Sequence, residues 1–116
     1  MTAHSDRPPP TDPDEPVVLI NVFEVAAEHA EAFVEQWTET ADLLRAKPGF
    51  IDTALHRASA PGSRFQFINV AHWRRAGQFQ AAISSPEVQE QLRTGGVPLV
   101  AHPALYQVAA SLSGPR

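Results

Sequence analysis

The stretch RFQFINVAHW, Arg64–Trp73, constrains this chain more than any other. Its residues alternate, so Phe65, Phe67, Asn69, Ala71 and Trp73 share one face of a strand. An amide on an otherwise apolar face must find a partner, or its burial costs roughly 1–3 kcal/mol. A strand facing only core rarely carries Asn there, whereas a strand lining a pocket for a flat polar ligand does. The run Val17–Val25, VVLINVFEV, repeats the arrangement, with Asn21 among Val17, Leu19, Phe23 and Val25. That run is β-branched and nearly continuous, the pattern of a strand buried on both faces.

The other elements follow from periodicity and breakers. A helix is predicted over 29–46, because Ala30, Phe33, Val34, Trp37, Ala41 and Leu44 form one apolar stripe and Glu31, Glu35, Glu39 and Asp42 lie outside it. Lys47-Pro48-Gly49 ends it. A second strand is expected over 50–58, a turn over 59–63 and a third strand over 64–73, the two strands forming a hairpin. Residues 75–83 read as a short helix and 87–93 as another, with Ser85 as its N-cap and Pro86 at its first position. Residues 98–103 read as irregular and 104–110 as the last strand. The order strand, helix, strand, strand, helix, strand defines the fold class: α+β, a ferredoxin-like four-stranded antiparallel sheet with helices on one face. Val18, Ile20, Val22, Ile68 and Val70 make the opposite face apolar too, so a homodimer packed sheet on sheet is expected.

Three segments are expected: a Pro-rich leader at 1–15 without structure, one domain at 16–110, and a tail at 111–116. Nine Lys and Arg against thirteen Asp and Glu give a net charge of −4, with no basic face for nucleic acid. The chain has no cysteine, which removes disulfides, Cys-based zinc sites and thiol nucleophiles. No apolar run reaches the roughly 18 residues of a membrane span. Residues 1–10 lack the apolar core of a secretory signal, so a cytoplasmic location is expected. No three metal-type ligands cluster on one element, and no metal site is expected.

Five segments together resemble one family. VLINVFEV, the Trp-bearing helix, KPGFIDTALHR, FQFINVAHW and HPALYQV are similar to the antibiotic biosynthesis monooxygenase (ABM) domain family over about residues 16–110. Such proteins are dimeric α+β barrels. In the cofactor-free, quinone-forming branch, a His lies seven residues after the Gly of the PGF motif and an Asn four residues before the strand-three Trp. Those positions are His56, Asn69 and Trp73, which the resemblance marks as catalytic. It implies oxygenation of an electron-rich phenol or anthrone by O2 without a cofactor, with a small aromatic substrate. His56 is then the expected base, its unperturbed pKa being about 6.5. Asn69 and Asn21 would hydrogen-bond substrate oxygens. Trp73, Phe65 and Phe67 would supply planar walls. Phe79 stands where that branch has a Tyr, Arg93 lies one position from a branch Arg, and Tyr106 is placed in or near the pocket. In the haem-degrading branch, the equivalent Trp and His positions fall on Ala82 and Gln91 here.

The residues leave other readings open. Asn21 and Asn69 also suit a mutual cross-strand lock. His56 also suits a surface pair with Asp52, Trp73 and Trp37 suit core packing, and His72 suits the dimer face. A polyketide cyclase or isomerase on the same scaffold, a non-catalytic small-ligand-binding dimer and a haem-degrading monooxygenase remain alternatives to the cofactor-independent monooxygenase.

Overall fold

The computed structural model describes residues 12–115. Strand β1 (Val17–Glu24) leads through a 3-10 turn, Ala27–His29, into helix α1 (Ala30–Leu44). Strands β2 (Phe50–Arg57) and β3 (Phe67–Trp73) form the hairpin. Helices α2 (Ala76–Ile83) and α3 (Pro86–Thr94) follow, and β4 (Val100–Tyr106) closes the sheet. The strands lie antiparallel to their neighbours in the order β2-β3-β1-β4, the expected ferredoxin-like arrangement. Among the described residues no helix is long and apolar enough to cross a membrane.

The doubly apolar β1 pairs on both sides, with β3 and β4. Its odd residues Val17, Leu19 and Phe23 are buried toward the helices. Its even residues Val18, Ile20 and Val22 are half-buried on the outer face. The core beneath the helices falls into two clusters. One gathers Val17, Leu19, Ala71, Trp73, Phe79 and neighbouring alanines; the other gathers Phe23, Val25, Ala30, Phe33 and Phe67. Between them runs the row in which Asn21 pairs with Asn69. Two adjacent amides cannot pack as hydrocarbon, so the core divides at that row.

Several boundaries differ from those the sequence predicts. Strand β3 starts at Phe67 rather than 64, because the Gln66 carbonyl accepts the Ala58 N–H (2.8 Å) and the Gln66 side chain donates to the Ser63 carbonyl (2.5 Å), which builds a loop. Phe65 therefore leaves the face it was expected to share. Strand β4 runs from Val100, not 104, and Pro103 lies within it opposite Asn21. An edge strand tolerates Pro because one side of its backbone has no ladder partner. Gly49 adopts φ 88°, and a Cβ there would lie 2.1 Å from Gln78 Oε1, so the turn into β2 requires glycine. Ser85 takes extended backbone angles before α3 as expected, but its hydroxyl donates back to the Ala82 carbonyl (2.7 Å) instead of capping.

Of the segment 1–15, residues 1–11 lie outside the described residues. Residues 12–15 are held in place. The Pro13 carbonyl accepts the Gly77 N–H (2.9 Å) and the Glu15 carbonyl accepts the Ala76 N–H (2.8 Å), which satisfies two free donors at the α2 N-terminus. Pro13 can approach because residue 77 has no side chain: a Cβ there would meet the Pro13 oxygen at 3.2 Å. Deleting residues 1–15 is expected to cost about 1–3 kcal/mol of stability in urea unfolding. Deleting residues 1–11 keeps both bonds, so the difference between the two deletions isolates what residues 12–15 contribute.

At the other end of the sheet, Glu24 of β1 accepts from His102 Nε2 of β4 (2.9 Å) and from Arg64 Nε of the hairpin loop (3.2 Å). The His102 bond first, then the Arg64 bond, holds the Glu24 carboxyl below its ordinary 4.5. A lowered folded pKa contributes stability above pH 4.5 and loses it as pH falls through the folded value. Protection factors of the β4 amides, taken against the intrinsic exchange rate at each pH, should therefore fall on acidification through that value, and the fall should shrink in Glu24→Gln.

Candidate active site: a cavity at the amide row

A cavity of about 720 Å³ fills the gap between the two core clusters. Its floor is the helix-side face of the sheet: Leu19 and Asn21 of β1, Thr53 of β2, Asn69 and Trp73 of β3, and Leu105 of β4. Its roof is one stripe of α1, on which Phe33, Gln36, Trp37, Thr40, Ala41 and Leu44 recur at helical spacing. Phe79 and Ile83 of α2 close one end. The indole of Trp73 is fixed edge-on between Phe50 (5.3 Å) and Phe79 (5.7 Å). The volume lies within the 300–1,000 Å³ or so of drug-sized ligand sites.

The polar groups of the cavity are neutral and oriented. Asn69, 8% exposed, is the one buried polar side chain among the described residues. The Thr53 hydroxyl donates to its Oδ1 at 2.6 Å. Asn21 accepts at Oδ1 from the His102 backbone N–H (3.1 Å). Although the two asparagines are register partners, the hydrogen bonds to their oxygens come from Thr53 and from the His102 N–H rather than from each other. On α1, Gln36 Oε1 accepts the Val97 backbone N–H (3.3 Å). No titratable side chain lines the cavity among the described residues.

The residues singled out from the sequence divide. Asn21, Asn69, Trp73 and Phe79 converge on this cavity. His56 does not. It pairs with Ile68 on the outer face of the sheet, exposed, with Nδ1 3.3 Å from the Ile68 carbonyl. The reason is strand phase: a register shift between Phe50 and Asp52 puts Phe50, Thr53 and Leu55 toward the helices, and Asp52, Ala54 and His56 away. Asp52 pairs there with His72 Nδ1 (2.6 Å), not with His56. Phe67 is buried in the second core cluster against Phe33 (4.8 Å) and is not a wall of the cavity. Phe65 stacks edge-on against His102 (5.6 Å) in the loop before β3. Arg93 pairs with Glu90 on the exposed side of α3. Tyr106, 50% exposed, lies opposite Val18 at the outer face. Gln36, Trp37, Thr40, Phe50 and Thr53 were not marked as site residues by the sequence. Gln36 and Thr40 carried a signal, two polar residues inside the apolar stripe of α1. Among the described residues no group of three His, Asp or Glu gathers as a metal ion requires.

A four-stranded antiparallel sheet, helices on one face and a neutral, aromatic, amide-bearing cavity between them define a ferredoxin-like protein built around a small-molecule-sized hollow. The chain belongs to the antibiotic biosynthesis monooxygenase family, which it matches over residues 16–93. Tetracenomycin-F1 monooxygenase of Streptomyces glaucescens is 36% identical over 72 residues, 61% of this chain, and the chain spans 62% of that relative's length. A solved structure from Shewanella loihica PV-4, provisionally assigned as a monooxygenase, is 36% identical, with a TM-score of 0.73 over 84% of this chain and 97% of its own. SnoaB of Streptomyces nogalater, a cofactor-independent oxygenase, shares the fold with a TM-score of 0.74 at 21% identity, over 86% of this chain and 99% of its own.

Proposed function

We propose that this protein is a cofactor-independent monooxygenase that oxidises an aromatic polyketide-type phenol or anthrone to a quinone with O2, in the biosynthesis of a secondary metabolite. The observation that carries this reading is the pair Asn21 and Asn69 in a cavity of neutral side chains walled by Trp73, Phe79, Phe50 and Trp37. Membership of the family and the names of the relatives support it.

The chemistry asks little of the protein. A deprotonated anthrone is electron-rich enough to pass one electron to O2, and the resulting radical and superoxide combine to a peroxide. Loss of one water from the peroxide leaves the quinone, so one O2 is consumed and one water released per product. The cavity's part is to hold the rings flat, stabilise negative charge on the substrate oxygen through amide N–H groups, and keep water from the intermediates. The exposed position of His56 on the opposite face gives that imidazole no part in this reading as an acid or base within the protomer.

Oxygen uptake with an emodin-type anthrone, in metal-chelated and flavin-free buffer, tests the proposal. Uptake of one O2 per quinone above the spontaneous rate is expected. Anaerobic conversion would favour the cyclase or isomerase instead, and tight binding without product would leave a binding protein. A shifted Soret band on haem titration would favour the haem-degrading branch. In the same reading a second copy covers the outer sheet face, where Ile68 is 36% and Ile51 48% exposed beside half-buried Ile20 and Val22. Sedimentation should then report a homodimer, and Ile68→Lys should shift it to monomer. The expected location is cytoplasmic.

A further inference from the structure

One wall of the cavity is a strap without secondary structure, residues 95–99, which joins α3 to β4. Gly96, Val97 and Leu99 line the cavity from this strap. Gly96 is exposed and the other two are half-buried, so a single layer of chain separates the cavity from solvent there. The mouth lies beside it: Ala101 and Pro103 of β4 line the cavity yet are exposed, whereas Phe23, the register partner of Ala101, is buried. Val97 and Leu99 pack against the second core cluster, a contact without direction that lets the strap slide. Among the described residues, no backbone–backbone hydrogen bond outside the helices and strands involves residues 95–99. Their one side-chain hydrogen bond among those residues runs from the Val97 N–H to Gln36 Oε1 on α1 (3.3 Å). The Gln36 amide is also wedged against Gly95, where a Cβ would overlap its Nε2, Cδ and Oε1. Gly95 has ordinary helical angles, φ −59° and ψ −46°, so the room taken by that amide, and not the backbone, demands glycine there.

We propose that residues 95–99 are the moving wall at the cavity's entrance, and that Gln36 is the positioning residue that holds them closed. The inference rests on the reading of this cavity as a substrate site, and not on the reaction performed there. It gives a role to a polar residue that interrupts the apolar stripe of α1. A ligand of fused rings enters past Ala101 and Pro103 by displacing the strap, and leaves by the same route. Gly96, at φ 81°, supplies the hinge where the strap leaves α3. The Gln36–Val97 bond is intact before the ligand passes and again after, so its energy cancels from the affinity. It is broken during passage, so it slows entry and exit alike.

The test takes two readouts on the full chain. Hydrogen exchange of the Val97 amide reads the catch. Stopped-flow quenching of tryptophan by emodin, a three-ring phenol already oxidised to the quinone, reads entry and exit, since the chain's two tryptophans, Trp37 and Trp73, both border the cavity. Gln36→Met keeps the length and helix preference of the side chain but accepts hydrogen bonds only weakly. Gly95→Ala suits the helical backbone, and residue 95 does not line the cavity, so it acts by expelling the Gln36 amide. In both variants Val97 should lose its protection. Association and dissociation of emodin should both quicken by about 3–10-fold, the worth of one neutral hydrogen bond, with Kd changing less than either rate. The double variant should be no faster than the single ones, because both act through one bond. Gln36→Glu, which keeps an acceptor at similar reach, should retain the protection of Val97. Unchanged rates in folded variants whose Val97 has lost protection overturn the strap as the moving wall and leave the proposed function standing. Val97 protection that survives in Gln36→Met overturns Gln36 as the catch. No quenching by emodin in the wild-type chain overturns the substrate class proposed above and the entrance argued for it.

Discussion

Replacing Asn69 by alanine is expected to lower kcat for anthrone oxidation by about 10²–10³-fold, the usual loss when one preorganised donor at developing negative charge is removed. The fold should survive, because the change deletes a short side chain bordering a cavity rather than a packed one. Thr53, left without its 2.6 Å partner, still has the Val70 carbonyl at 3.3 Å. The measurement pairs initial O2-uptake rates with thermal unfolding of the same preparation. Activity within tenfold of wild type in a folded Asn69→Ala protein would remove the amide from the chemistry. His56→Ala provides the contrast. Its imidazole lies outside the cavity, on the far side of the sheet, and its substitution should leave kcat/KM within about twofold of wild type, the size of effect left to a surface side chain.

Phe67→Ala is the substitution expected to cost most in stability, about 3–5 kcal/mol. The ring is 1% exposed and sits at the centre of the second core cluster. Phe33 lies at 4.8 Å on one side, and the Arg57 guanidinium lies 5.4 Å above the ring. Neighbouring side chains belong to β1, β2 and α1, three elements that cannot all move to fill the void. The loss should appear as a melting temperature lower by roughly 10–20 °C for a domain of this size. Because Phe67 does not border the cavity, KM of the folded fraction at low temperature should stay near the wild-type value. A KM raised tenfold with stability unchanged would return Phe67 to the role the resemblance gave it. Phe65→Ala, at a half-buried loop position against His102, should cost far less than Phe67→Ala.

These contrasts show which parts of the site are legible along the chain. Face membership on a regular strand is a local property of alternation, so Asn21, Asn69 and Trp73 were readable as inward residues. Phe79 was marked by the resemblance, at the position where the branch has a Tyr. The phase of β2 is not local in that sense: one register shift near Phe50 reverses which residues face the helices, and it separates His56 from the amides that the family pattern had joined to it. The signal was present, since Thr53 and Leu55 alternate with the more polar Asp52 and His56. Phe50, on the other side of the shift, pointed to the wrong phase. The start of β4 was misplaced because Pro103 reads locally as a breaker, while pairing with β1 on the edge of the sheet accommodates it.

The sequence by itself determined the order of elements, the sheet they make, and the two amides placed among apolar neighbours, because periods of 2.0 and 3.6 residues and helix-ending Pro and Gly act over a few positions. Only the tertiary structure decided what those amides do. Their oxygens are taken by Thr53 and by the His102 N–H, groups 16 and 81 positions away in the chain. Whether an amide is a lock or a donor depends on such distant partners, and no local pattern encodes them.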